Sequence, residues 1–208
     1  INLESGAGFV LDTSLAVSAG TQKTVGVDYK ELVQDVATGD ILLVDDGRIE
    51  LEVVRIDGTR IICFVKTGGE LSDNKGINRK GGGLSAGALT AKDREDLKAA
   101  AAMQVDYIAI SFVRSAADIR EARRLSGEIG CEAGIIAKIE RAEAVEAIDE
   151  IIRASDGVMI ARGDLGVEIG DAEVPAIQKH IIGRARSLDK PVITATQMME
   201  SMISSPVP

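Results

Sequence analysis

From Leu89 onward, short apolar runs alternate with helix-patterned segments four times over, and no other feature of the chain restricts its fold as strongly. The spacing predicts helices over 90–102, 116–127, 142–154 and 174–187, and strands over 107–112, 135–139, 158–161 and 192–195. Strands that alternate with helices indicate βαβ units and a parallel sheet, because parallel neighbours need a crossover long enough to hold a helix. No sequence repeat underlies the alternation, so a solenoid is not expected.

Polar residues finish every predicted strand: Ser111 and Arg114, Lys138 and Glu140, Arg162 and Asp164, Thr196 and Gln197. A doubly wound dinucleotide-binding sheet should open with Gly-x-Gly-x-x-Gly between its first strand and helix, and that run is absent. A (β/α)8 barrel builds its active site from several strand ends at one face, which accounts for all four polar sets together. The expectation is an α/β protein in which residues 87–208 form a partial (β/α)8 TIM barrel of about four βα units, against the eight of a complete barrel.

Residues 1–86 have another texture. They are rich in β-branched residues and carry the turn chemistry of hairpins at Asp45-Asp46-Gly47, Asp57-Gly58 and Gly68-Gly69. Ile49, Leu51 and Val53 alternate with Arg48, Glu50 and Glu52, and the chain returns through Ile61-Ile62-Cys63-Phe64-Val65. This predicts an inserted all-β domain, a meander or small β-barrel. Gly81-Gly82-Gly83 reads as a turn or hinge rather than a phosphate cradle, since neither a strand-to-helix context nor Gly-x-x-x-x-Gly-Lys spacing accompanies it.

Composition narrows the function. A formal charge of −9, no long basic run and three Phe and two Tyr without Trp argue against a nucleic-acid surface. Cys63 and Cys131 lie in apolar contexts without metal-ligand spacing and read as buried thiols of a reduced, cytoplasmic protein. No apolar run approaches the ~20 residues that cross a bilayer, so no membrane partner is expected. The start has no Met and no charged n-region, and the end is the abrupt Ser205-Pro206-Val207-Pro208. Both are read as marks of an excerpt from a longer chain.

The chemistry concentrates in Ala137-Lys138-Ile139-Glu140 and Ala161-Arg162-Gly163-Asp164-Leu165-Gly166. Alternate side chains of a strand share a face, so Lys138 and Glu140 point one way and Ile139 the other. With the next strand about 4.8 Å away, Gly163 would let the backbone turn closely enough for Asp164 to reach the same ion as Glu140. Hard oxygen ligands suit Mg²⁺, which takes one or two protein carboxylates and keeps room for water and substrate oxygens. A plainer reading stays open: an ion pair of Lys138 and Glu140 that caps a strand, Asp164 as a turn or cap residue, and Thr196 as a strand end and helix N-cap. Met198, Met199 and Met202 read as helix packing, His180 as solvent-facing, and Phe112 as core beneath the Lys138 stem.

At these residues the chain resembles the pyruvate kinase family, and the resemblance runs over its whole length. It is carried by Ala137-Lys138-Ile139-Glu140-Arg141, by Ala161 to Gly166 with Val167-Glu168-Ile169, and by Ala195-Thr196-Gln197-Met198-Met199-Glu200-Ser201-Met202. Ile110-Ser111-Phe112-Val113-Arg114 and Asn74-Lys75-Gly76-Ile77-Asn78 complete it. The resemblance implies the glycolytic transfer of phosphoryl from phosphoenolpyruvate to ADP, giving pyruvate and ATP, with Mg²⁺ and K⁺. It implies Glu140 and Asp164 as Mg²⁺ ligands and Lys138 as the cation that stabilises the phosphoryl group in flight and the developing enolate. Lys138, Gly163 through its backbone, Asp164 and Thr196 would hold the substrate, with Thr196 catalytic, near where the enolate is protonated. Residues 1–86 would be the family's lid, with Lys75, Asp45 and Asp46 on the nucleotide.

The resemblance also implies K⁺ ligands that lie outside this chain. A homotetramer is implied for the full-length protein, and the 208-residue excerpt alone is expected to be inactive and unstable. Two rivals remain: a Mg²⁺-dependent lyase or aldolase of the phosphoenolpyruvate/pyruvate barrel superfamily, and a non-catalytic binding protein built on a decayed barrel.

Overall fold

Ile49, Leu51 and Val53 lie fully buried on one face of a strand whose other face carries Glu50 and Glu52, and that alternation organises the first of two units. The computed structural model describes residues 1–16, 19–195 and 200–203, and the chain divides into residues 1–86 and 87–208.

The first unit contains β1 (Asn2–Leu3), β2 (Gly8–Asp12), β3 (Thr24–Gly26), the short helix α1 (Leu32–Asp35), β4 (Ile41–Val44), β5 (Ile49–Asp57), β6 (Arg60–Thr67), β7 (Gly69–Glu70) and β8 (Ile77–Arg79). Six strands form one sheet in the order β3-β2-β6-β5-β4-β8, and β1 pairs with β7 in a separate ribbon. The β2–β3 ladder is parallel and the others are antiparallel. Between β4 and β5 the chain reverses through Asp46 at φ +55° and Gly47 at φ +78°, with the Arg48 N–H donating to the Asp45 carbonyl at 3.1 Å. Two positive φ values match the right-handed twist of the flanking strands, which is why Asp-Gly is favoured there.

The expected small barrel is not what forms. Among the described residues β3 and β8 share no ladder, and α1 interrupts the strands, so the unit is an open six-stranded mixed sheet with a helical turn. Register shifts at Glu50/Leu51 and Val53/Arg55 bend the long β5–β6 pair, so the sheet wraps one core of Phe9, Leu11, Leu42, Ile49, Leu51 and Ile61 by bending. After β8 the run Gly81 to Gly83 makes a turn in which all three residues have positive φ, a conformation that only glycine adopts cheaply.

The second unit contains α2 (Ala91–Met103), β9 (Tyr107–Ile110), α3 (Ala116–Glu128), β10 (Gly134–Ile139), α4 (Ala142–Glu146), α5 (Ile148–Ala154), β11 (Gly157–Ile160), α6 (Arg162–Ile169), α7 (Val174–Ser187) and β12 (Val192–Thr194). A short 3₁₀ turn follows at Glu200–Ile203. The four strands are parallel and lie in sequence order, β9-β10-β11-β12. A doubly wound sheet reverses its strand order at a switch point; this one does not, as in a segment of a (β/α)8 barrel. The barrel is not closed. Thr90 and Ser115 start α2 and α3 in capping boxes with Asp93 and Asp118. Ile135, Ala137 and Ile139 of β10 and Val158 and Ile160 of β11 share one core with Ile119, Ile151 and Ile181 of the helices.

Two departures from expectation bear on the site. The helix anticipated over 142–154 breaks at Ala147 into α4 and α5. The segment after β11, expected as an open strand end, is helix α6. Glycines at 163 and 166 weaken its intrinsic helical tendency. Burial of Leu165 and the contacts of Glu168 with the Ala142 N–H and Arg141 override it, and Gly166 is closely approached, since a Cβ there would stand 2.4 Å from Asp171 Oδ1.

Candidate active site

Lys138 is the fifth residue of β10, and Glu140 follows the strand directly. Ile135, Ala137 and Ile139 are spent on the helix-covered core, so Lys138 and Glu140 are left on the opposite face, as strand alternation requires. Lys138 Nζ lies 2.6 Å from Glu140 Oε1 and donates to Ser111 Oγ at 3.0 Å. Glu140 Oε2 accepts the Phe112 N–H at 2.6 Å. Glu140 is buried, at 2% exposure, while the Lys138 side chain keeps 26%. The pair is therefore a desolvated carboxylate held from two sides beside a partly accessible ammonium.

Asp164 is the third residue of α6, which follows β11, the parallel neighbour of β10. Gly163 precedes it in the first helical turn, where backbone N–H groups have no intrahelical acceptor and the helix dipole favours negative charge. The expected role of Gly163 as a tight strand-end turn is thus replaced by a helical one. Thr196 and its neighbours Gln197, Met198 and Met199 lie outside the described residues. His180 is exposed, as expected.

Phe112 corrects the sequence reading. It is not core: the residue is 48% exposed, and its φ is +55°. The left-handed conformation turns the chain sharply after β9, aims the Phe112 amide at Glu140 and gives the buried place to Val113. An aromatic residue rarely adopts positive φ, so nothing in the sequence pointed to it.

Two further residues escaped sequence reasoning. Arg141 and Glu168 are both 4% exposed, with Arg141 Nε 3.6 Å from Glu168 Oε1, and Glu168 Oε2 accepts the Ala142 N–H at 2.8 Å. This pair fastens the end of β10 to the helix that carries Asp164. Its signal was the position of Glu168 four residues after Asp164, one helical turn, which is readable only once the segment is known to be helical.

In the first unit, Lys75 Nζ and Asp45 Oδ1 lie 2.7 Å apart, and Asp46 is exposed at the neighbouring turn. The hydrogen bond from the Lys75 ammonium, with the charges of Lys75 and Arg48, holds the Asp45 carboxyl below its ordinary range against the opposing effect of burial.

Among the described residues no group of three or more His, Cys, Asp or Glu side chains is arranged to hold a metal ion. Mg²⁺ does not require one, since it is commonly held by one or two carboxylates with water and substrate oxygens. Each Glu140 oxygen accepts one hydrogen bond and has a further lone pair, so its chemistry fits a hard divalent cation.

A family model described as pyruvate kinase, barrel domain, matches residues 1–208. The chain belongs to the pyruvate kinase family. It is 57% identical over 211 residues to a pyruvate kinase of Haemophilus influenzae, which covers 100% of this chain and 44% of that protein. It is 56% identical to pyruvate kinase II of Salmonella typhimurium, over 99% of this chain and 44% of that protein. It is 47% identical to a pyruvate kinase of Mycobacterium tuberculosis, over 91% of this chain and 40% of that protein. The chain thus spans less than half the length of these pyruvate kinases. Among the described residues no helix is long and apolar enough to cross a membrane.

Proposed function

We propose that a full-length protein carrying this chain transfers the phosphoryl group of phosphoenolpyruvate to ADP, giving pyruvate and ATP, in the cytoplasm. The observation that carries this reading is Lys138 Nζ, held between Glu140 Oε1 and Ser111 Oγ where parallel strands of a pyruvate kinase barrel domain end. Phosphoryl transfer asks a protein mainly for positioning and charge neutralisation. The P–O bond to the enol oxygen breaks, a bond to the terminal oxygen of ADP forms, and the enolate left behind takes a proton at carbon to become pyruvate.

In this reading Lys138 faces the phosphoryl group and the enolate oxygen. Glu140 and Asp164 hold Mg²⁺, which when bound neutralises phosphoryl and carboxylate charge. The Gly163 and Asp164 backbone at the start of α6 binds the substrate anion, and Thr196 lies near the carbon that is protonated. Residues 1–86 act as the lid, with Lys75, Asp45 and Asp46 on the nucleotide; exclusion of water would suppress hydrolysis. K⁺ and assembly into a tetramer belong to the full-length protein, and the 208-residue chain by itself is expected to be inactive.

The test is Lys138→Met in a full-length polypeptide containing residues 1–208, with ATP and pyruvate both measured. We expect kcat to fall by about 100-fold or more with the phosphoenolpyruvate KM changed less than about threefold, the mark of an interaction made in the transition state. Unaltered turnover would remove Lys138 from the chemistry. Consumption of phosphoenolpyruvate without ATP would point to a barrel lyase.

A further inference from the structure

We propose that Ser111 is a positioning residue of this site: its hydroxyl, at the end of β9, fixes the Lys138 ammonium while the amide of the next residue, Phe112, fixes Glu140. The inference rests on the phosphoryl-transfer reading of Lys138. The register pairs Ile110 with Ala137, so the next residues, Ser111 and Lys138, come side by side, and Ser111 Oγ accepts from Lys138 Nζ at 3.0 Å. An ammonium on a four-carbon stem has three donors and wide rotamer freedom. Here one donor is directed to Glu140 Oε1 on its own chain segment and one to Ser111 on the neighbouring strand, which locates Nζ from two directions.

The chemistry of the acceptor matters. A second carboxylate in place of Ser111 would cancel the positive charge that a phosphoryl group needs, whereas a hydroxyl orients the ammonium and leaves its charge intact. The backbone adds independent weight. Phe112 holds φ +55°, a conformation costly for a residue with a Cβ, and its N–H meets Glu140 Oε2 at 2.6 Å. Two consecutive residues thus grip the two opposite charges of one ion pair, and the end of β9 sets the geometry of both.

The test uses Ser111→Ala and Ser111→Thr in the full-length polypeptide, with Lys138→Met alongside. Loss of a hydrogen bond to a charged group predicts that Ser111→Ala lowers kcat by about 10- to 100-fold. The phosphoenolpyruvate KM should stay within about twofold, and Ser111→Thr, which keeps the hydroxyl, should restore most of the rate. Should Ser111→Ala not fold, Ser111→Cys keeps the volume with a weaker acceptor and reads the same split between kcat and KM. The proposal is overturned by a kcat within twofold of the parent, by a change confined to KM, or by a Thr variant as slow as the Ala variant. An inactive Lys138→Met beside a fully active Ser111→Ala would defeat the role of Ser111 alone, whereas a fully active Lys138→Met would defeat the functional reading and this inference together.

Discussion

Glu168 Oε1 stands 3.6 Å from Arg141 Nε across the gap between α6 and the end of β10, and both side chains are buried. Each neighbours a residue of the candidate site: Arg141 follows Glu140, and Glu168 lies one helical turn beyond Asp164. Without Glu168 the buried Arg141 keeps Glu143, whose Oε2 lies 3.5 Å from Nε, but loses one counter-charge, and the Ala142 N–H loses its acceptor, so Glu168→Ala should destabilise the protein by about 2 kcal/mol. Glu168→Gln should cost less, because its amide oxygen still accepts the Ala142 N–H. Thermal unfolding of full-length variants measures the difference: a Glu168→Gln variant as stable as the parent would show that the charge is irrelevant, and equal losses in the two that the hydrogen bond to Ala142 is.

Phe112 predicts an inverted order of substitutions. Its φ of +55° suits glycine and strains a β-branched residue, while its half-exposed ring contributes little burial. Phe112→Gly should therefore be more stable than Phe112→Val, by about 1 to 2 kcal/mol, although it removes more atoms. A Val variant as stable as the Gly variant, in the same thermal assay, would contradict the backbone geometry.

The contact of Lys75 with Asp45 predicts a pH dependence. The Asp45 carboxyl is held below its ordinary value in the folded chain, so the unfolded chain binds the proton more readily. The stabilisation is present above the unfolded carboxylate pKa of about 4 and is lost as pH falls through the lower folded value. The gap in melting temperature between the parent and Lys75→Met should be widest near neutrality and close in acid. A gap that stays constant from pH 7 to pH 3 would deny the pairing.

The two cysteines should differ in reactivity. Burial pushes the Cys63 thiol up to about 12, whereas Cys131 is only half-buried. In the native protein at pH 8, a thiol reagent should modify Cys131 and leave Cys63 intact, as peptide mapping would show. Because Cys63 ionises more easily in the unfolded chain, its contribution to stability should fall as pH rises from about 8.5 toward the folded value. Modification of both thiols at equal rates would contradict the burial of Cys63.

The alternation of apolar runs with helical segments was enough to locate the four parallel strands within a residue or two, because strand and helix periods are local properties of a sequence. The same locality placed Lys138 and Glu140 on one face, and the strand ends marked Ser111 as polar. Helix α6 was beyond that reach, since its glycines argue against a helix and the burial of Leu165 and the contacts of Glu168 with Ala142 and Arg141 offset them. The break at Ala147 and the left-handed turn at Phe112 are likewise products of surroundings rather than of residue type.

What the amino-acid order determined by itself is therefore the parallel α/β pattern, the family and the residue types delivered to the strand ends. Only the tertiary structure decided which of those residues meet: Ser111 with Lys138, Phe112 with Glu140, and Arg141 with Glu168. The reason is physical. Contacts between residues far apart in the chain depend on strand register and helix packing, and a periodicity read along one segment carries no information about its partner.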